Sequence, residues 1–509
     1  MSRNFTIPSV IFALILAWIA GASFAFAASL SISPDSGTPT AKTTASGSGF
    51  SAGETVSLRF DASTAASIAA DAAGNFAQIV LIPKSAQPGA HAIQALGQSS
   101  GLAAAATFTV RTNWPSYKNE PSRVGVNPFE NIINKNNAKF LTLAWVGILG
   151  DLVDFSSPAV VNGVVYVGSF DGKLYAFNAD GCAPQTSCQP LWTGATGNDI
   201  TSSPAVSNGV VYIGSADHKL YAFPAKGCGT STCAPLWTGA AGGSILESSP
   251  LVANGVVYVG AFDGKLYAFA ATGCGSASCN PLWTGATGGK ITSSPAISNG
   301  IIYVGSQDGK LDAFSATGCG ATTCSALWTG NAGTAIYESG PAVSNGVVYI
   351  GSADGNLSAF SAAGCGQPSC QPLWQGTTSG IITGSPSVAN GVVYIGSDNL
   401  LYAFKASGCG SATCSPLWFG QPDGSQAAIV SAPTIANGLV YASENNGMVM
   451  VFNAAGCGSS LCLPLTQLLT QNEPIVSSSP TVVNGTVYFG SANQNVPPIG
   501  RLYVFKRSR

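Results

Sequence analysis

SSPAVVNGVVYVGSFDGKLYAF, residues 156–177, is the stretch that decides how this chain folds. Two runs rich in Val and Tyr flank Asn162-Gly163, and Asp171-Gly172 separates the second run from a third, Lys173–Phe177. Asn-Gly and Asp-Gly suit two-residue hairpin turns, whose central residues need positive φ. The stretch therefore reads as consecutive antiparallel strands, and it recurs. Its first tyrosine returns as Tyr212, Tyr258, Tyr303, Tyr349, Tyr394, Tyr441 and Tyr488, at spacings of 45 to 47 residues.

A period of that length, made of strand and turn signals, is one four-stranded blade. Within the first unit the strands are expected at Ser157–Val161, Val164–Ser169, Lys173–Ala179 and Leu191–Gly194. The first hairpin keeps its asparagine in all units: Asn162, Asn208, Asn254, Asn299, Asn345, Asn390, Asn437 and Asn484. Side chains grow along each unit, from Ser-Ser-Pro-Ala to the tryptophans Trp192, Trp237, Trp283, Trp328, Trp374 and Trp418. Blades diverge from an axis, so lean inner strands and bulky outer ones fit a radial stack, and the rings fill the wedge between blades. The eighth unit ends at Phe505 with no outer strand after it, whereas Leu141–Gly147 (LTLAWVG) precedes the first unit as an unmatched outer strand. The fold expected is all-β: an eight-bladed β-propeller over 140–509, closed by that N-terminal outer strand, which leaves no open sheet edge.

Three segments precede it. Residues 1–27 read as a signal peptide, with Arg3, an apolar core from Val10 to Ala20 and Ala25-Phe26-Ala27 at the cleavage site. No cysteine lies before Cys182, against lipid attachment, and no membrane span is expected after cleavage. Residues 28–111 carry short alternating runs between turn signals and read as a small β-sandwich; GSGFSAGETVSLRFD (47–61) and PGAHAIQALGQSSG (88–101) resemble immunoglobulin-like modules of bacterial surface proteins. Residues 112–139 have no period but hold Trp114, Tyr117 and Phe129, and are expected to pack on the propeller.

Composition narrows function by exclusion. Only 8% of the 509 residues are charged and the net charge is −2, so there is no basic field to attract nucleic acid. The 14 cysteines form seven local pairs at one phase of the repeat, each expected across a hairpin loop: Cys182/Cys188, Cys228/Cys233, Cys274/Cys279, Cys319/Cys324, Cys365/Cys370, Cys409/Cys414 and Cys457/Cys462. Zinc needs four converging ligands, and each loop offers two cysteines while the chain has only His91 and His218. Disulfides within each blade, closing loops worth about 2 kcal/mol apiece, are the expectation, and with the signal they place the protein outside the cell or at its surface.

The motif NG-x-VY-x-GS-x-DG-x-LYAF, followed by LW, resembles the repeat of pyrroloquinoline quinone-type propellers over residues 112–509. That superfamily includes quinoprotein alcohol dehydrogenases, an outer-membrane assembly scaffold lipoprotein and other exported proteins. For its enzymes the resemblance implies a quinone on a tryptophan floor under a vicinal disulfide, a calcium or lanthanide ion on acidic and Asn ligands, and an Asp base. This chain has no Cys-Cys dipeptide, its repeat tryptophans sit in outer strands and the acidic constellation is absent, so no cofactor and no metal are expected.

Polar candidates gather at one rim. Three residues before each Ser-Pro-type proline stand Phe155, Thr201, Glu247, Thr292, Glu338, Thr383, Val430 and Ser477. Glu247 and Glu338, two blades apart with Tyr337 beside one of them and Thr201 and Thr292 at equivalent positions, form a candidate rim ligand site. Paired carboxylates suit acid–base work on a glycan or cation binding, and equally a solvated rim. The repeated Asp171, Asp217, Asp263, Asp308, Asp354 and Asp398 are accounted for by turn chemistry. His218 stands alone in a turn and His91 lies in a strand of the sandwich, where packing is the expectation. The reading that follows is a secreted, non-catalytic binding or scaffolding protein with a protein or cell-surface glycan as partner. The alternative is an extracellular enzyme, quinone-dependent or glycan-active, using the Glu-bearing rim.

Overall fold

A computed structural model describes residues 27–421, 427–470, 473–475, 477–493 and 499–507. The signal expected over 1–27 therefore lies outside the described residues, apart from Ala27. The chain divides into two compact units: the described residues up to Ile82 with Ala90–Thr109, and Pro83–Gly89 with Val110 onward.

In the first unit, Ser29–Ser33, Lys42–Ser48 and Phe76–Leu81 make a three-stranded antiparallel sheet. Ser36–Gly37, Ala103–Val110, Gly89–Gly97, Thr55–Phe60 and Ser63–Ala69 make a five-stranded one in that order. Alternate residues are buried along Lys42–Ser48 and Thr55–Phe60, as one-faced strands require. Ala45, Val56, Leu58, Val80, Ile93 and Phe108 form the core. His91 does more than pack: its Nδ1 lies 2.7 Å from Asp61 Oδ2 and its ring stacks on Phe60.

In the second unit each repeat builds one sheet whose strands follow in sequence. The first has Ala159–Val161, Val164–Gly168, Lys173–Asn178 and Trp192–Ala195, all antiparallel. The expected bounds are thus met to within two residues at the inner strand and one at the outer. Asn162 and Gly163 have φ of 52° and 80°, the doubly left-handed turn anticipated from Asn-Gly. Leu141–Ile148 pairs antiparallel with Ile499–Arg507 of the last repeat, so the N-terminal strand supplies the outer strand that repeat lacks.

The repeat signature now has physical meaning. Of the Ser-Ser-Pro serines, the first accepts a hydrogen bond from its own blade's second strand, as Gly168 N donates to Ser156 Oγ and Gly260 N to Ser248 Oγ. The second serves the blade before: Ser157 N donates to Ser203 Oγ, Ser203 N to Ser249 Oγ and Ser249 N to Ser294 Oγ. Ser479 N donates to Ser157 Oγ, joining the last repeat to the first. The chain of serines breaks where Gly340 and Ala432 take that position.

Tyrosines and tryptophans couple the blades farther out. Tyr166, Tyr212, Tyr258, Tyr303, Tyr349 and Tyr394 each donate to an alanine carbonyl of the following repeat, and Tyr488 donates to Ala179 of the first. The glycine before each loop's first cysteine packs on the preceding blade's indole. At Gly273, with φ +75°, a Cβ would lie 2.7 Å from Trp237 Cδ1, so only glycine fits. Apolar cores lie between sheets: Tyr166, Leu174 and Trp192 of one pack with Val211, Ile213 and Phe223 of the next.

The seven disulfides pair as expected, with Cα atoms 5.6–5.7 Å apart: Cys182–Cys188, Cys228–Cys233, Cys274–Cys279, Cys319–Cys324, Cys365–Cys370, Cys409–Cys414 and Cys457–Cys462. Each lies, as expected, in the connection between the third and fourth strands of its repeat. Only the first half of each is accessible. The second cysteine, at Cys188, Cys233, Cys279, Cys324, Cys370, Cys414 and Cys462, is buried, between 2% and 6% exposed. Each of these ends a two-residue strand that runs parallel to the outer strand of the blade before, as Cys188 does beside Gly147, Cys324 beside Gly285 and Cys462 beside Gly420. Cys370 and Cys414 lie likewise beside Gly330 and Gly376. Their sulfurs therefore join the apolar cores between blades, Cys370 with Trp328 and Cys414 with Trp374. A half-cystine has no polar group to satisfy, so burial against an indole favours it. The bridges are structural, each tying a loop to the neighbouring blade as well as to itself.

Candidate functional site

Inner strands run from the Glu-bearing rim to the Asn-Gly turns, and residues 112–127 cross the turn end of the channel they surround. Trp114 exchanges backbone hydrogen bonds with Val160. Val206 N then donates to Pro115 O, Ile297 N to Pro121 O, Val343 N to Ser122 O, Val388 N to Val124 O and Ile435 N to Gly125 O. Val126-Asn127 runs parallel to Ile435-Ala436, and Asn127 Nδ2 reaches Val482 O. The third repeat is held by a side chain, since Arg123 Nη2 donates to Ser249 O and Pro250 O. Every repeat thus touches this aperiodic segment. The aromatic residues Trp114, Tyr117 and Phe129 were the sequence signal that 112–139 packs on the propeller; the path itself was hidden, because backbone pairing leaves no residue-type signature.

Above that floor the channel keeps a small recess at the rim. It is lined by Tyr117 from the floor, by Ser203, Ser249 and Ser294, and by Phe155, Glu247, Glu338, Thr383, Val430 and Ser477. Six of the eight pre-proline positions therefore converge, as their phase in the repeat anticipates. Tyr337 is not among the lining residues; its side chain is exposed and its carbonyl accepts from Thr292 Oγ1. Thr201 is buried, and its Oγ1 accepts from Glu247 N. These threonines position the neighbouring backbone, and neither lines the recess. Glu247 itself adopts φ +63°, a conformation that non-glycine residues rarely hold outside functional or strained sites.

Glu338, from before the fifth repeat, reaches Ser477, before the eighth, whose Oγ donates to its Oε2 at 3.1 Å. Burial, then the charge of Glu247, pushes the Glu338 carboxyl up to about 8. Burial pushes Glu247 up to about 7. Asp154, a residue the sequence did not single out, is pushed to about 7 by burial and by Glu247. Its Oδ1 is buried without a hydrogen-bond partner among the described residues. No Lys or Arg lines the recess to hold these acids ionised.

The turn aspartates behave as turn chemistry demands. Tyr175, Tyr221 and Tyr267 each donate to the Oδ2 of Asp171, Asp217 and Asp263 at 2.5 Å, and the Lys173 backbone N–H donates to Asp171 Oδ1. His218 is exposed in its turn at φ 71°.

The residues present do not fit a quinone and its metal. The repeat tryptophans stand in outer strands, and Tyr117, Lys118 and Arg123 fill the channel below the recess. The recess keeps a cavity of about 20 Å³. That is room for about one water, far below the few hundred Å³ a drug-sized ligand takes. Among the described residues no three His, Cys, Asp or Glu side chains stand where they could share a metal ion.

Known proteins agree on the architecture. Residues 182–409 match the family described as outer membrane protein assembly factor BamB. No curated protein sequence matches the chain. BamB from Moraxella catarrhalis is similar in structure at 18% identity and TM-score 0.52, covering 71% of this chain and 99% of its own. The quinohemoprotein alcohol dehydrogenase of Comamonas testosteroni is similar at 14% identity and TM-score 0.58, covering 78% and 81%. A europium-containing methanol dehydrogenase is similar at 12% and 0.57, covering 77% and 98%. At such identities the likeness speaks for fold alone. Repeat motif, sheet order and structural neighbours together give this chain a β-propeller architecture similar to that of pyrroloquinoline quinone-type proteins.

Proposed function

We propose that the protein is a secreted, non-catalytic binding or scaffolding protein: eight disulfide-braced blades in a closed ring, 140–509, with 112–139 as a lead-in segment packed on the propeller and 28–111 as an immunoglobulin-like sandwich. The observation that carries this reading is the occupancy of the channel by residues 114–127, which leaves the axial space to the chain itself. Seven disulfides suit an oxidising compartment, and no described helix is long and apolar enough to cross a membrane. The assembly factor among its structural neighbours supports a protein partner; a cell-surface glycan is the other class of partner, and nucleic acid is not expected at a net charge of −2. The test is a titration of the full-length protein with pyrroloquinoline quinone in the presence of Ca²⁺ or La³⁺, followed by dye-linked oxidation of primary alcohols. The reading expects neither saturable quinone binding nor turnover, and stoichiometric binding with turnover would overturn it.

A glycan-active enzyme is the second reading, favoured by Glu247 and Glu338 sharing one recess. Acid–base pairs work when environment drives the two pKa values apart, one carboxyl staying ionised. Here both are driven upward, to about 7 and about 8, so neither is held as the ionised partner. If Glu247→Gln and Glu338→Gln leave glycan binding and any hydrolysis unchanged, the rim reading falls.

A further inference from the structure

Arg123 is 1% exposed, yet no carboxylate is among its hydrogen-bond partners. Its Nε donates to Pro295 O at 3.1 Å, and its Nη2 to Pro250 O at 2.8 Å and Ser249 O at 3.3 Å. Nη1 turns back to Ser116 Oγ and the Tyr117 carbonyl, and the guanidinium sits 5.7 Å from the Tyr117 ring centroid. Three carbonyls from two adjacent blades thus face one planar cation. A buried cation needs its hydrogen bonds satisfied by rigid acceptors, and these are fixed by inner-strand geometry rather than by flexible side chains. Lys118, also buried, donates to Pro386 O in the same manner. Prolines at the start of the inner strands turn their carbonyls inward; elsewhere in the ring Ser387, Thr434 and Thr481 hydroxyls occupy Pro433, Pro480 and Pro158.

The segment that delivers Arg123 is not at ease. Lys118, Asn119 and Arg123 have φ of 56°, 70° and 60°, a left-handed backbone that disfavours side chains. Most of its other contacts with the ring are backbone pairings, which any extended chain could make, with the side chains of Tyr117, Lys118 and Asn127 adding single hydrogen bonds to Ser385, Pro386 and Val482. A rigid cradle filled by a strained segment has the character of a receptor occupied by a tethered ligand.

We propose that the carbonyls of Ser249, Pro250 and Pro295 form a guanidinium-binding cradle on the channel floor, filled in cis by Arg123, and that an extended arginine-bearing peptide of another polypeptide takes its place. The proposal names a partner chemistry beyond the scaffolding reading and does not need the rim recess to bind anything. Tethering gives Arg123 an effective concentration in the millimolar range, so an untethered peptide competes poorly until the internal arginine is removed.

The test uses full-length protein and a fluorescent peptide of the sequence TNWPSYKNEPSRVGVNP, residues 112–128. Arg123→Ala protein is expected to bind it at least tenfold more tightly than wild type. The same peptide with alanine for its arginine is expected to lose at least tenfold on the Arg123→Ala protein. Methylguanidinium at low millimolar concentration should raise the melting temperature of Arg123→Ala and leave wild type unmoved. Should Arg123→Ala fail to fold, Arg123→Lys carries the test, since one ammonium keeps the charge but cannot span three carbonyls. A folded variant that binds the peptide no better than wild type, or that binds both peptides equally, overturns the cradle.

Discussion

Replacing Glu338 with glutamine should remove much of the pH dependence of the propeller's stability. The folded carboxyl titrates near 8 against 4.5 for an ordinary glutamate, so the native state holds its proton more tightly than the unfolded chain does. Stability from that proton is fully present below about pH 4.5 and is lost as pH rises through about 8. A difference of between three and four pKa units corresponds to about 5 kcal/mol at most. Asp154 and Glu247, both near 7, add to the loss in the same direction, and the three protons leave in coupled steps. Glutamine keeps the shape, keeps an oxygen to accept from Ser477, and cannot ionise. Calorimetric melting of wild type and Glu338→Gln at pH 5 and pH 8.5 is the assay. About 5 kcal/mol is worth about 6 °C for a unit of this size, taking about 2 cal/mol/K of unfolding entropy per residue. The two proteins should melt together at pH 5, and the variant should melt several degrees higher at pH 8.5. A wild type whose melting temperature is flat or rises between pH 5 and 8.5 would refute the reasoning.

Three further outcomes follow from the repeat. Tyr258→Phe deletes a buried hydrogen bond to Ala316 O and should cost about 1 kcal/mol, whereas Tyr441→Phe should be neutral or stabilising because the Tyr441 hydroxyl is buried without a partner among the described residues; paired denaturant titrations compare them. Gly273→Ala forces a Cβ against the Trp237 indole and should cost about 2–3 kcal/mol, while Gly275→Ala, at φ +78° in open space, should cost about 1 kcal/mol, both read by melting temperature. Replacing both Cys274 and Cys279 with alanine should cost about 2–3 kcal/mol, the loop constraint plus the contacts of the buried Cys279 sulfur, without altering the sheets; circular dichroism and denaturant titration check it.

Sequence reading reached the repeat because its determinants are local. Asn-Gly forces a left-handed pair of turn residues wherever it sits, and the Tyr and Trp positions answer to a wedge of constant shape. The closing strand was legible as the outer strand that the last repeat lacks, and its Trp145 meets Gly181 as Trp192 meets Gly227. Cysteine spacing gave the pairing of each bridge but not its depth, since the burial of Cys188 or Cys414 depends on the blade before. What stayed hidden likewise depends on contacts between distant segments. Residues 112–127 follow a curved path set by eight separate inner strands, so no period marks them. Asp154 feels the charge of Glu247 although no motif marks it, and Tyr337 turns outward although it adjoins Glu338. The rim glutamates were recognisable by phase alone. Their upward-shifted pKa values come from enclosure without a cation, which no short motif encodes.

Hydrogen exchange on the full-length protein reports whether the chain fills its own channel. The amides of Val206, Ile297, Val343, Val388 and Ile435 donate to carbonyls of residues 115–125. If the segment sits in the channel, these amides exchange as slowly as those of the second and third strands of each repeat. Exchange within seconds, with the strand amides still protected, would mean that the channel is open and that the account is wrong.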